Sequence, residues 1–369
     1  MRKSVLGVWE KVEMADRIYI FGAHSRAQTT AVYLQTLYPG LSVEAYLYNN
    51  EEPNPEKIGD VPVVKLDKGK LYTNYPVYIG TRGIYHEEIT RELRGLGFEK
   101  IMPVDAGLDI RLRNAYLERR YADAGQDFLK IDKLKALEDS VPAAVYVAKS
   151  IYDAPLRRQY LEKPYEKMIQ VGAALTEKRL ADCLVADNTG DNISMKNRQF
   201  CELTALYWIW KNAEEEIVGL EHYRRHFILP PDWLERMLVN EVDVILPVPL
   251  YVAPNLRENY RKRHEPMDWD YMMAYLRERN LREAQEAEAF FERNLYSPCN
   301  MFIMRREVLD ELCRWLFPVL FAAEEHGGSR EDSYDNRYPG FLSERLISFF
   351  FEKNRKKYKT IYSDKNFLD

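Results

Sequence analysis

Apolar positions in the first third of the chain switch between two periods. The run Arg17-Ile18-Tyr19-Ile20-Phe21 ends in Gly22-Ala23-His24-Ser25-Arg26-Ala27, after which Ala31, Leu34 and Leu37 keep helical spacing. Strand, turn and helix are predicted in that order. Further short apolar runs at 42–48, 61–64, 77–80 and 100–104, with a helical pattern from His86 to Leu96 between the last two, predict more strands around a helix. Strands alternating with helices make a parallel sheet covered on both faces, so residues 1–122 are expected to form an α/β, Rossmann-like doubly wound domain. The charged stretch 123–140 is expected to be a helical linker, and a second domain over 141–369 opens on the strand signal Ala143-Ala144-Val145-Tyr146-Val147-Ala148.

In the second half, a loop crowded with Asp, Asn, Thr, Gly and Ser runs from Leu184 to Asn197. Such residues serve turns and helix caps, and Asn192 or Ser194 is a candidate cap. Leu203, Leu206, Tyr207 and Trp210 then mark one buried helical face, with Glu202 and Thr204 off that stripe and free to face a cleft. Ile217-Val218-Gly219-Leu220 reads as a central strand from which Glu221-His222-Tyr223-Arg224-Arg225-His226-Phe227 emerges. Strand alternation would place His222 and Arg224 on one face and Glu221, Tyr223 and Arg225 on the other. Later strands are predicted at 243–248 and 301–304, the second with Asn300 at its mouth. A helix is predicted near 341–349 with Phe341, Leu342, Leu346 and Phe349 as core and Glu344 and Arg345 in its first turns.

Composition narrows the function. A length of 369 residues suits two domains, and a hydrophobic fraction of 46% is enough to fold them. A net charge of −5 argues against a nucleic-acid partner held by a general positive field. Cys183, Cys201, Cys299 and Cys313 have neither CxxC spacing nor disulfide density and are expected to be reduced thiols, mostly in the core. The opening MRKSVLGVWEKVEMADR breaks its apolar residues too early for a signal peptide, and no window reaches the ~18 apolar residues of a membrane span. A cytoplasmic protein is expected. The basic, aromatic tail at 353–359 is either a solvated end or a patch drawn to the anionic inner face of a membrane.

Chemistry concentrates at the exit of the 217–220 strand. Two adjacent arginines there cost desolvation unless anions meet them, and either an ion-pair network or a phosphate group can do so. Glu221 and His222 are acceptable ligands for Mn²⁺ or Mg²⁺, but no DxD or HxH spacing accompanies them, which leaves a metal open. The glycine loop of the first domain departs from GxGxxG, because His24 stands where the second glycine would admit a pyrophosphate. That weakens dinucleotide binding in favour of a sugar-phosphate sensor, a docking platform or a remnant fold. Asn300 is a turn residue or a reader of sugar hydroxyls, and Glu344 a first-turn acid or a base.

The blocks YEKMIQVGAAL, DNTGDNISMKNRQFCELTALYWIWKN, VGLEHYRRHF, NMFIMRREVLDELCRWLF and YPGFLSERL together resemble a bacterial family of capsular and exopolysaccharide biosynthesis proteins regarded as glycosyltransferases. The resemblance covers about 143–369. It implies a GT-A-like α/β glycosyltransferase domain, with VYVAKS as its first nucleotide-facing strand and GLEHYRR in the place of DxD. By that carry-over the donor would be bound by Lys149, Asp187, Asn188, Asp191, Asn192, Asn197, Glu221, His222, Arg224 and Arg225. Asn300 and Arg345 would meet the acceptor, and Glu344, Arg224 and Arg225 would be catalytic. The N-terminal half looks like Rossmann-type modules fused to other polysaccharide enzymes.

The expected activity is transfer of a sugar from a nucleoside diphosphate, with UDP the expected carrier, to a growing and lipid-linked glycan. Membrane-peripheral contact or contact with polysaccharide assembly proteins would accompany it. The alternative is a non-catalytic scaffold that binds sugar phosphates; an oxidoreductase built on the first domain ranks third.

Overall fold

A computed structural model describes residues 16–368 apart from 52, 68–69, 135–141 and 158–159. The stretch before Asp16, used above against a signal peptide, and 135–140 of the expected linker lie outside the described residues. The chain divides into two units, Met1–Asp127 and Phe128–Asp369.

The first unit contains β1 (Arg17–Phe21), α1 (Ser25–Leu37), β2 (Ser42–Tyr48), β3 (Lys57–Ile58), β4 (Val61–Lys65), β5 (Val77–Ile79), α2 (His86–Gly95), β6 (Ile101–Pro103) and α3 (Ala106–Asp123). Its sheet order is β3-β4-β2-β1-β5-β6, with every pairing parallel except the β3/β4 hairpin. The order reverses between β1 and β5, as in doubly wound sheets. Strand alternation explains how both faces are buried. Tyr19 and Phe21 of β1 pack with Ile89 and Leu93 of α2, while Ile18 and Ile20 are buried facing the other way. There α1 and α3 pair through Tyr33 and Tyr116, whose rings lie 4.9 Å apart. At the switch point a Cβ on Gly80 would stand 2.6 Å from the Ala27 Cα, so only glycine lets the β5 loop pass so close to α1.

The second unit begins with β7 (Ala143–Lys149), β8 (Glu166–Gln170), β9 (Val185–Ala186), α4 (Asn197–Phe200), α5 (Leu203–Asn212) and β10 (Ile217–His222). There follow α6 (Trp233–Val239), β11 (Val244–Pro247), β12 (Leu250–Tyr251), α7 (Leu256–Arg261), α8 (Pro266–Arg279), α9 (Leu281–Phe291) and β13 (Leu295–Tyr296). Last come β14 (Phe302–Arg305), α10 (Arg306–Gly327), α11 (Tyr338–Lys353) and β15 (Thr360–Ser363). The main sheet has the order β15-β11-β14-β10-β7-β8-β9. Only β14 runs antiparallel to its neighbours β10 and β11. Both faces are covered: Val218 and Leu220 of β10 join the large core made with α5 and α7–α11, and Ile217 joins the core containing Trp233 and Met237 of α6. The chain is thus α/β, with two sheets of largely parallel strands.

Two local expectations change. Phe341 is half-buried rather than core, unlike Leu342, Leu346 and Phe349. Of the four cysteines, none in a disulfide, only Cys313 is buried in the core. Three cations of the basic tail have carboxylate partners: Lys353 with Glu283, Arg355 with Glu352, Lys357 with Glu311. Among the described residues no helix is long and apolar enough to cross a membrane.

Candidate functional site

Strands β7, β8, β10, β11 and β15 all run in one direction, so their carboxyl ends share one edge of the second sheet. Lys149 closes β7 and Asp153 follows it; His222 closes β10 and Arg224 and Arg225 follow; Lys365 follows β15. Because β14 is antiparallel, its leading residues Cys299 and Asn300 arrive at the same edge. Open α/β sheets bind ligands at this edge.

The chain leaves β10 through a turn in which the His222 N–H donates to the Arg225 carbonyl at 3.1 Å and the Arg225 N–H returns to His222 at 2.9 Å. The expected alternation therefore stops at His222, and Arg224 and Arg225 leave from a turn. Neither guanidinium has a carboxylate within ion-pair distance among the described residues. Arg224 donates weakly to the Ala154 carbonyl at 3.4 Å and leaves its buried Nε without a partner. Arg225 lies over the Phe367 ring at 5.4 Å. Among the described residues Lys365 likewise makes no ion pair, and it faces His222 and Cys299 electrostatically. Burial and the nearby Arg225 and Lys365 hold His222 below the ordinary imidazole pKa, so the ring is neutral; its Nε2 is buried and unpartnered. Cations and orphaned polar atoms thus collect at the sheet's carboxyl edge, where leaving them unpartnered costs free energy.

Three carboxylates border this cluster. Burial raises the Glu344 pKa against the opposing pull of Arg345, the Cys299 N–H and Arg225. Glu344 Oε1 accepts from the Cys299 N–H at 2.6 Å and Oε2 pairs with Arg345 at 2.9 Å, while the side chain keeps 17% exposure. Glu202, just before α5, accepts from Asn300 Nδ2 at 2.8 Å, and Asp153, raised by burial, lies in the field of Arg224, Lys149 and Arg337. Cys299 and Asn300 have φ of 76° and 50°, the left-handed region that costs a residue with a Cβ. Two such residues in succession hold the Cys299 N–H on Glu344.

Glu221 belongs elsewhere. Alternation turns it to the face opposite His222. There it meets Glu166 and His226, all three fully or nearly buried. His226 Nδ1 lies 3.2 Å from both Glu166 Oε1 and Glu221 Oε2, and Nε2 lies 3.3 Å from the Tyr223 carbonyl. Every neighbour is an acceptor, so both ring nitrogens carry protons. Burial opposes the charge, but the two carboxylates overrule it and raise the pKa to about 9. Glu221 Oε1 also accepts from the Phe227 N–H at 2.6 Å, and Glu166 from the Tyr160 hydroxyl at 2.6 Å and the Lys163 N–H at 2.8 Å. Glu221 and His222 thus do not fit a shared metal. The ligand-capable atoms of Glu166, Glu221 and His226 do converge within 4.8 Å. They are satisfied around the His226 imidazolium: burial raises the Glu221 pKa, whereas burial of Glu166 is outweighed by hydrogen bonds from His226, Tyr160 and the Lys163 N–H, which lower its pKa and make it the firmer counter-ion.

The Asp/Asn-rich loop is equally interior in purpose. Asp187 is 0% exposed and accepts from the N–H groups of Gly172 (2.9 Å) and Ala173 (3.0 Å) and the hydroxyls of Ser194 (2.5 Å) and Thr204 (2.6 Å). Asn197 donates to the Cys201 carbonyl and the Thr204 hydroxyl, and Asn192 bridges the Gly190 carbonyl and the Ser194 N–H. Asp191 is exposed near Tyr207 and Lys211, Asn188 is half-buried, and Lys149 pairs with Asp182. Asp187 therefore staples the loop and has no oxygen left for a donor. Asn300 is buried on Glu202, Gly340 and Ser343. Arg345, 2% exposed, is held by the Phe341 carbonyl and Glu344 and lies over Tyr296 at 4.5 Å. Both are interior: Arg345 braces Glu344, and Asn300 braces Glu202.

The edge thus unites Arg224, Arg225, His222 and Glu344, as far apart in sequence as 222 and 344. It adds Lys365, Arg337 and Asp153, which the sequence reading missed. Glu202 was marked for a cleft only by falling off its helix stripe; Lys365 carried no local signal.

A family model described as "Domain of unknown function (DUF4422)" matches residues 156–355, more than half of the chain. Among solved structures, that of WbbM, titled a bifunctional glycosyltransferase in its apo form, aligns with a TM-score of 0.53 at 24% identity. The alignment covers 62% of this chain and 45% of that one, so the likeness is one of fold and spans less than half of the larger protein. No curated protein matches the sequence.

Proposed function

Since the chain belongs to the DUF4422 family, whose description assigns no activity, we propose from the site itself that it is a glycosyltransferase. It would take a nucleoside-diphosphate sugar, with UDP as carrier, and extend a capsular or exopolysaccharide glycan presented on a lipid at the inner face of the membrane. One observation carries the reading: Arg224 and Arg225 after β10 and Lys365 after β15 stand at the carboxyl edge of one sheet without carboxylate partners among the described residues, in a chain whose fold is similar to that of a glycosyltransferase.

In this reading the guanidiniums and Lys365 hold the two phosphates. An acceptor hydroxyl attacks the anomeric carbon, the bond from that carbon to the phosphate oxygen breaks, and the diphosphate leaves with its added negative charge. Fixed cations in a poorly solvated site stabilise that charge without reorganising. Glu344 takes the hydroxyl proton; its remaining exposure and burial-raised pKa suit a base that must also release the proton. Neutral His222 is placed to hydrogen-bond a phosphate or sugar oxygen. No step here runs through a metal.

Release of UDP, and separately of GDP and other nucleoside diphosphates, from a panel of nucleotide sugars tests the reading with Mn²⁺, with Mg²⁺ and with chelator. Slow hydrolysis of at least one donor, lost in the Arg224→Ala/Arg225→Ala protein, supports it. A folded wild-type chain that turns over none of them favours the scaffold reading instead.

A further inference from the structure

With Asn300 and Arg345 interior, whatever reads an acceptor must be a group that solvent can reach near Glu344. One turn before Glu344 on α11, Phe341 is half-buried and stacks on the His264 ring at 4.1 Å with an interplanar angle of 20°. Tyr334 extends the stack, 5.0 Å from Phe341 and 5.8 Å from His264, and is 51% exposed. Residues three apart on a helix are surface neighbours, so Phe341 and Glu344 share one face of α11. The Arg337 guanidinium lies 5.8 Å over the Phe341 ring, held by the Cys201 sulfur at 3.1 Å. His264 Nδ1, behind the stack, is buried without a hydrogen-bond partner.

We propose that Tyr334, Phe341 and His264 form an acceptor subsite that stacks one face of a pyranose ring and so presents its hydroxyl to Glu344. A pyranose has one face made of C–H bonds and a rim of hydroxyls. Aromatic faces carry negative charge that attracts such polarised hydrogens, and Tyr combines an apolar body with a polar tip. The rim needs polar groups beside the rings, and the Arg337 guanidinium and the hydroxyl of the exposed Tyr334 supply them. Burial, Arg345 and Arg263 push the His264 pKa down to about 3, so the stack stays uncharged. An exposed aromatic stack continuous with a reactive carboxylate is more specific than a scattered surface hydrophobe. The inference rests on the transferase reading for the role of Glu344, but the sugar contact is measurable by itself.

The test is saturation-transfer NMR on the full chain with methyl glucopyranoside, galactopyranoside, mannopyranoside and rhamnopyranoside, with UDP binding followed on the same samples by thermal shift. The expected result is transfer from aromatic protons to the C–H protons on one face of at least one pyranoside. It should fall at least about fivefold in both Tyr334→Ala and Phe341→Leu, the loss of one ring contact, with the UDP shift retained. Phe341→Leu keeps an apolar side chain, which guards against misfolding. Transfer that is absent from wild type, or equal in wild type and both variants, overturns the subsite whatever UDP does. So does a self-association that Tyr334→Ala abolishes while transfer persists. Failure of wild type to bind either UDP or GDP run beside it overturns the transferase reading separately.

Discussion

At His226 a proton is required on both nitrogens, because one faces two carboxylates and the other a carbonyl. The pH consequence has a definite sign. A pKa of about 9 in the fold against the ordinary 6.5 means that the folded state binds the proton more tightly. The stabilisation is complete below about pH 6.5 and is lost as pH rises through about 9, on the order of 3 kcal/mol over that span. Denaturant titrations between pH 6 and 10 should show this loss, and His226→Gln should flatten it. Removing the cation also strands two buried carboxylates, so that variant should lose about 3–5 kcal/mol near neutral pH. At Glu344, replacement by Gln keeps the acceptor for the Cys299 N–H and removes the base. Sugar-transfer kcat should fall by about 10²–10⁴-fold, with a lowered melting temperature because buried Arg345 loses its ion-pair partner.

Strand β10 and the loop that Asp187 staples show what a sequence discloses about elements. A Cβ on Gly219 would meet Ile303 Cγ1 and the Phe302 carbonyl oxygen at 2.9 Å, between β14 and β7. Gly219→Ala should therefore destabilise the second unit by about 1–3 kcal/mol, measured as a lower denaturant midpoint. Asp187→Ala strands two buried backbone N–H groups and should cost about 2–5 kcal/mol; calorimetric unfolding would check it. The apolar run of β10 and its polar exit were legible because a central strand leaves a local period. The turn at 222–225 was not, since it depends on a backbone exchange that no spacing announces. Nor was the inward turn of the Asp/Asn loop, because side chains that cap and staple are the same types that bind ligands. Asp187 was thus expected in a donor pocket and lies beneath the surface. Glu166, His226 and Lys365 were illegible as partners because β8, β10 and β15 meet only through the sheet.

On the scale of the molecule, the two units have their own sheets and cores, and all residues assigned to the transferase reading lie in Phe128–Asp369. The chain's net charge is −5, so the cationic edge is a local departure from an acidic background. Anion binding there should weaken as salt rises, but less than for a fully exposed patch, because the cluster is partly buried. Calorimetric titration of UDP into the full chain, wild type against Arg224→Ala/Arg225→Ala, bears most directly on the central claim. Saturable binding by wild type, weakened at least about hundredfold in the folded variant, is the expected result, from two charge-assisted contacts of about 1.5–3 kcal/mol each. Equal affinity in the two proteins, or wild type that binds no nucleoside diphosphate, would contradict it.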